Sequence, residues 1–177
     1  ELNLSCPHAS GYGMDMGQDA ELVKEITAAV KAAVDIPVIP KLTPNVPNIG
    51  EIAAAAAEGG ADAICAINTV GPAYYTAHGH PVLTNKVGGM SGKGVLPIAL
   101  KSVKAIREAV DLPIIGCGGI SNGDDVRAFA TEGASVFGVG SALTGLNSID
   151  VKNYFQDLRQ DITRNTNSSS ESTRYDV

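Results

Sequence analysis

Along this chain, short runs that are apolar on both faces alternate with stretches of helical periodicity: IPVIP at 36–40, ADAICAI at 61–67, LPIIG at 112–116 and ASVFGVG at 134–140. Strands that present no polar face need cover on both sides, which is the condition of parallel strands joined by helices. Residues 1–6 read as a first strand. The spacing of Leu22, Val23, Ile26, Ala29, Val30 and Val34 predicts a helix over 19–34 behind Asp19 as N-cap. A strand follows at 36–42, in which Pro40 marks a bulge or bend. Asn48 caps a helix over 49–58 that Gly59 and Gly60 stop. A third strand is expected at 61–68, a long loop at 69–93, a helix at 95–110, a strand at 112–117, a helix at 124–132, a strand at 134–139 and a closing helix at 149–162. The Ser/Thr/Asn-rich remainder, 163–177, is expected to be a disordered tail, leaving 1–162 as one domain.

Five βα units leave two architectures open, a doubly wound sheet or part of an eight-stranded barrel. In either, chemistry belongs at the C-terminal ends of the strands. Those ends carry Ser5-Cys6-Pro7-His8, Lys41, Asn68-Thr69, Gly116-Cys117-Gly118-Gly119 and Gly138-Val139-Gly140-Ser141, a convergence that points to a small-molecule site on one rim. The two last glycine clusters suit a phosphate, because backbone N–H groups can turn toward an anion and approach it closely. Tight βα turns are the plainer reading of either cluster alone. Lys41 at a strand exit either faces an electron-rich ligand or snorkels to water. Cys6, flanked by Ser5, His8 and a Gly-rich stretch, is a candidate acid, base or nucleophile, whereas Cys65 reads as a buried hydrophobe and Cys117 as filler in a glycine-rich turn. Asn3, Asn68 and Thr69 offer neutral donors and acceptors for a polar heterocycle, or caps for local loops. His78 and His80 have no acidic or cysteine partner at metal spacing, so no metal is expected.

Charge and cysteine usage narrow the classes. A net charge of -6 argues against a nucleic-acid partner. No apolar run approaches 18 residues, which argues against a membrane span. Three widely spaced cysteines form neither a disulfide framework nor a zinc pattern, and a cytoplasmic location is expected. The opening run lacks an initiator Met and reads as the middle of a domain.

Five ordered motifs carry a resemblance: Glu1-Leu2-Asn3-Leu4-Ser5-Cys6-Pro7-His8, Lys41-Leu42-Thr43-Pro44-Asn45-Val46, Ile67-Asn68-Thr69, Gly88-Gly89-Met90-Ser91-Gly92 and Gly116-Cys117-Gly118-Gly119-Ile120. Together they resemble the class 1 dihydroorotate dehydrogenases, FMN enzymes of pyrimidine biosynthesis built on a (β/α)8 TIM barrel. The resemblance implies that this chain holds about the last five βα units of that barrel. It implies Cys6 as the general base at C5 of dihydroorotate while hydride passes from C6 to the flavin. Asn3, His8, Asn68 and Thr69 would contact the substrate. Lys41 would lie against the flavin ring, Gly92 would contribute backbone contacts, and Gly118, Gly119, Gly140 and Ser141 would cradle the FMN phosphate. The loop from Asn85 resembles the NAD-linked branch, which works with a separate FAD and iron–sulfur subunit, so a homo- or hetero-oligomer is expected. His8 stands where many family members have Asn, and histidine there is similar to dihydropyrimidine dehydrogenase, which makes uracil or thymine reduction the alternative. Two further readings stay open: a non-flavin phosphate-binding barrel isomerase or lyase, and an inactive half-barrel that docks on a partner chain.

Overall fold

The computed structural model describes residues 1–5 and 16–164. Its elements run β1 (Leu2–Asn3), α1 (Ala20–Ala33), β2 (Pro40–Leu42), α2 (Ile49–Glu58), β3 (Ile64–Ala66), β4 (Val70–Tyr74), β5 (Thr76–Ala77), β6 (His80–Pro81), β7 (Val87–Met90), α3 (Leu96–Ala109), β8 (Ile114–Cys117), α4 (Gly123–Thr131), β9 (Val136–Gly138) and α5 (Ser148–Arg164).

The main sheet has the order β1-β2-β3-β8-β9, and every pairing in it is parallel. Its strands lie side by side in the sequence in which the chain makes them. A doubly wound sheet reverses its strand order at a switch point; a barrel winds one way around its axis. The sheet is therefore an arc of a barrel. The helices follow the same order, α1 on α2, α2 on α3, α3 on α4 and α4 on α5. Alternate strand residues divide the two faces. Leu42, Ile64, Ala66 and Ile114 pack outward into one core with Val23, Ile52, Val103, Ile106, Val126 and Phe129 of the helices. Lys41, Cys65, Ile115 and Cys117 face the other way, toward the inside of the arc.

Local chemistry fixes the helix starts. The Asp19 carboxylate accepts from the Leu22 amide at 3.2 Å and the Asn48 side chain from the Glu51 amide at 3.4 Å. Asn122 and Asp125 form a reciprocal capping box on α4. α2 ends at Gly59, with Gly60 at φ 87°, a conformation that costs glycine nothing. Gly116 serves packing: a Cβ there would meet the Phe129 ring at 2.5 Å, so β8 and α4 approach closely only because it has none. Phe129 is fully buried against that strand. Phe129→Ala is expected to cost about 3–5 kcal/mol, read as a lower denaturant midpoint at unchanged slope.

Four expectations are corrected. The second strand begins at Pro40 instead of 36, because proline lacks the N–H that a ladder position donates and is tolerated at the first strand residue. The first strand is confined to Leu2–Asn3, with a turn at residues 4–5. Residues 69–93 are not an unstructured loop: β4 pairs antiparallel with β7, and β5 with β6. Glycine and proline at 71, 72, 88 and 89 erase the two-residue alternation that marks strands, and the β4–β7 register is itself irregular between Val70 and Ala73. α5 runs on through Thr163 to Arg164. No helix among the described residues is long and apolar enough to cross a membrane.

Candidate active site

The C-terminal ends of the strands surround a cavity of about 290 Å³. Lys41 enters from β2, Asn68 and Thr69 from the exit of β3, Gly92 from the turn before α3, Gly118 and Gly119 from the exit of β8, and Gly140 and Ser141 from the exit of β9. The structure thus brings these expected residues to one concavity. Asn3 joins them through a hydrogen bond, accepting at Oδ1 from Asn68 Nδ2 at 2.9 Å. Cys6 and His8 lie outside the described residues, immediately after Ser5, whose Oγ accepts from the same Asn68 amide at 2.8 Å.

The glycine turn after β8 is shaped for close approach. Gly118 and Gly119 have φ values of 124° and 84°, which side-chain-bearing residues rarely adopt. A Cβ on Gly119 would lie 2.9 Å from the carbonyl oxygen of Gly92, and one on Gly118 would lie 2.9 Å from the Ala99 side chain. The two loops therefore meet backbone to backbone. A carboxylate ties them from behind. Asp125, buried in the first turn of α4, accepts from the Ser121 amide and hydroxyl, both at 2.9 Å, and from the ammonium of Lys93. Burial acts to raise the Asp125 pKa, but Lys93 and the Ser121 donors lower it by more, so it lies below the ordinary carboxylate value. A depressed folded-state pKa stabilises above the unfolded value of about 3.9 and is lost as pH falls through the folded value. Asp125→Asn is expected to remove that part of the acid dependence of Tm, which melting curves taken across the acid range would read.

Lys41 is half-buried and lies 3.6 Å from the Glu1 carboxylate. Burial lowers its pKa, while Cys117, Cys65 and Glu1 raise it by more, so the ammonium form is held. Cys65 and Cys117 lie beside it with sulfurs 3.8 Å apart. Cys117 is the last residue of β8, and its side chain faces the cavity wall instead of filling a turn.

Ser5, Asn45 and Glu1 were not singled out as site residues by sequence reasoning. Asn45 donates to the Thr69 carbonyl at 3.1 Å and accepts from the Gly71 amide at 3.0 Å, which anchors the β4 hairpin over the rim. A second cavity of about 230 Å³ opens there between Ser5, Thr43, Asn45, Thr69 and Gly88. Asn45 sits four residues after Lys41 at a strand exit, within the Lys41–Val46 motif, and that placement was its signal.

A one-way arc of parallel strands with glycine turns at the exits of its last two strands is part of a (β/α)8 barrel. The chain belongs to the dihydroorotate dehydrogenase family, whose sequence model matches residues 1–162. It is similar to the dihydroorotate dehydrogenase B (NAD(+)) catalytic subunits of Methanocella arvoryzae, Pyrococcus horikoshii and Methanosarcina acetivorans. The identities are 54%, 50% and 51%, each over 144 residues and 81% of this chain. The alignments cover 48%, 48% and 46% of those proteins, so the chain spans about half the length of the curated relatives it matches.

Proposed function

We propose that this chain supplies the C-terminal half of the active site of an FMN-dependent enzyme that oxidises dihydroorotate to orotate in pyrimidine biosynthesis. The observation that carries the reading is the gathering of Lys41, Asn68, Gly118, Gly119 and Ser141 on one cavity in a chain of this family. The residues fit the cofactor: Gly118 and Gly119 line the cavity with positive-φ backbone and no side chain, Gly140 has open space where a Cβ would stand, and a retained ammonium stands in the cavity wall. Gly118, Gly119, Gly140 and Ser141 would hold the phosphate, with Gly92 alongside and Lys41 at the ring. When bound, FMN supplies a hydride acceptor. Asn3 and Asn68 would orient the substrate's ring amides, with Thr69 beside them, and their mutual hydrogen bond sets both side chains before substrate arrives. His8 would touch the substrate, and Cys6 would take the proton from C5.

Electrons would leave through a separate FAD and iron–sulfur subunit, and the assembly would be cytoplasmic; the names of the relatives as catalytic subunits support a partner. The test is product analysis with the full-length protein. Orotate formed from dihydroorotate, with no turnover of dihydrouracil, supports the reading. Turnover of dihydrouracil alone would move the substrate to the uracil type.

A further inference from the structure

We propose that Lys93 and Asp125 are positioning residues for the flavin phosphate, a clasp that sets the spacing of the loops around it without touching it, a role that rests on the phosphate cradle of the proposed function. Gly92 and Val95 line the cavity on either side of Lys93, and Gly118, Gly119 and Ile120 line it just before Ser121. Lys93, Ser121 and Asp125 themselves do not line it, and their side chains meet behind the wall. The two carboxylate oxygens of Asp125 serve different loops. Oδ2 accepts from the Ser121 amide and hydroxyl, both at 2.9 Å, and from the Asn122 amide at 3.3 Å, while Oδ1 takes the ammonium of Lys93. One carboxylate thus joins the exit of β8 to the turn that leads into α3.

Spacing matters because backbone amides hold an anion only at hydrogen-bond geometry, and the bond weakens steeply away from it. Gly92 is where three loops meet. A Cβ on Gly119 would lie 2.9 Å from the Gly92 carbonyl oxygen, and a Cβ on Gly92 would lie 3.7 Å from Ser141 Oγ. The N-terminus of α4 is poorly suited to take the phosphate in their place. Gly123 donates its amide to Asp161 at 2.6 Å and Asp125 donates its own to Asn122 at 3.0 Å, and the two carboxylates at that helix end repel a further anion. A phosphate in this cavity would fall to the turns, and the turns depend on what ties them.

Lys93 could also serve as a plain cation toward the phosphate, and the two roles predict opposite effects at Asp125. The Asp125 side chain is 5% exposed and that of Lys93 is 55% exposed, so the carboxylate has little water and relies on its partner. Asparagine at 125 can still accept from Ser121 but turns an NH2 group toward the ammonium, so the Lys93 arm opens. A plain cation, freed from its rival carboxylate, would then bind FMN more tightly. A clasp that has lost one half would bind it more weakly.

The test titrates FMN and riboflavin, which differ only in the phosphate, into the full-length, flavin-free protein and its variants. Lys93→Met and Asp125→Asn are each expected to weaken FMN by about tenfold, within the range of coupling between contacting charged residues, and to leave riboflavin unchanged. The double variant should lose no more than either single one. Tighter FMN binding in Asp125→Asn, equal losses for both flavins, additive losses, or a phosphate preference kept in both variants would overturn the clasp alone. An unmodified protein that binds FMN no better than riboflavin would overturn the phosphate cradle, and the clasp with it. Should Asp125→Asn fail to fold, Ser121→Ala decides beside Lys93→Met, since it takes a donor from the same carboxylate and no charge from the site. A lowered phosphate preference in both supports the clasp, and one lowered in Lys93→Met alone would contradict it.

Discussion

Cys6→Ala is expected to leave flavin bound and to slow its reduction by dihydroorotate by about 10²–10⁴-fold, the usual contribution of a positioned general base. In the proposed reaction the base would act on the C5 proton only, so a variant without it would keep the proposed phosphate and Lys41 contacts to the flavin. Stopped-flow bleaching of the flavin reads the step directly. An unchanged rate would remove Cys6 from the role; loss of flavin along with the rate would make it a binding residue instead. The rate of the unmodified enzyme should also rise through the thiol titration range, and a flat profile would point to another base.

The second large effect lies at the cradle. Gly119→Val is expected to abolish retention of flavin through purification. Its φ of 84° alone disfavours a side chain by about 1–2 kcal/mol, and the added Cβ would press on the Gly92 carbonyl oxygen at 2.9 Å. Even 1–2 kcal/mol delivered to the binding step is about 5–30-fold in Kd. Gly94→Ala is the matched control, since a Cβ there meets nothing within 4 Å. Titration of FMN into both flavin-free variants separates them: weak binding at 119 with normal binding at 94 is expected, and equal affinities would remove the cradle role from that turn.

The helices and their alternation with strands along the chain were legible because their signals are local. Asp19 and Asn48 cap where the caps were expected, and α2 spans 49–58 as the alanine stripe and Gly59–Gly60 require. Barrel against doubly wound sheet was not legible from the runs themselves, because both bury parallel strands alike; strand order decides it, and order is a long-range property. The β4–β7 hairpin escaped for the opposite reason. Its short strands are broken by Gly71, Pro72, Gly88 and Gly89 and are held in place by Asn45, which lies 24 and 26 residues before its contacts at Thr69 and Gly71. The site residues could be listed from their strand exits, since each exit is a point on the sequence. What joins them could not. The Glu1–Lys41 pair, the Asn3–Asn68 bond and the Cys65–Cys117 contact link neighbouring strands through side chains whose separation in sequence carries no period. Cys65 and Cys117 look like filler one at a time, and only the β3–β8 register makes them a pair.

The most direct test is the visible absorbance spectrum of the full-length protein before and after dihydroorotate is added without oxygen. The expected result is an oxidised flavin spectrum that bleaches on addition. A colourless protein that takes up no added FMN, or a bound flavin that dihydroorotate leaves oxidised while another reductant bleaches it, would contradict the proposed function.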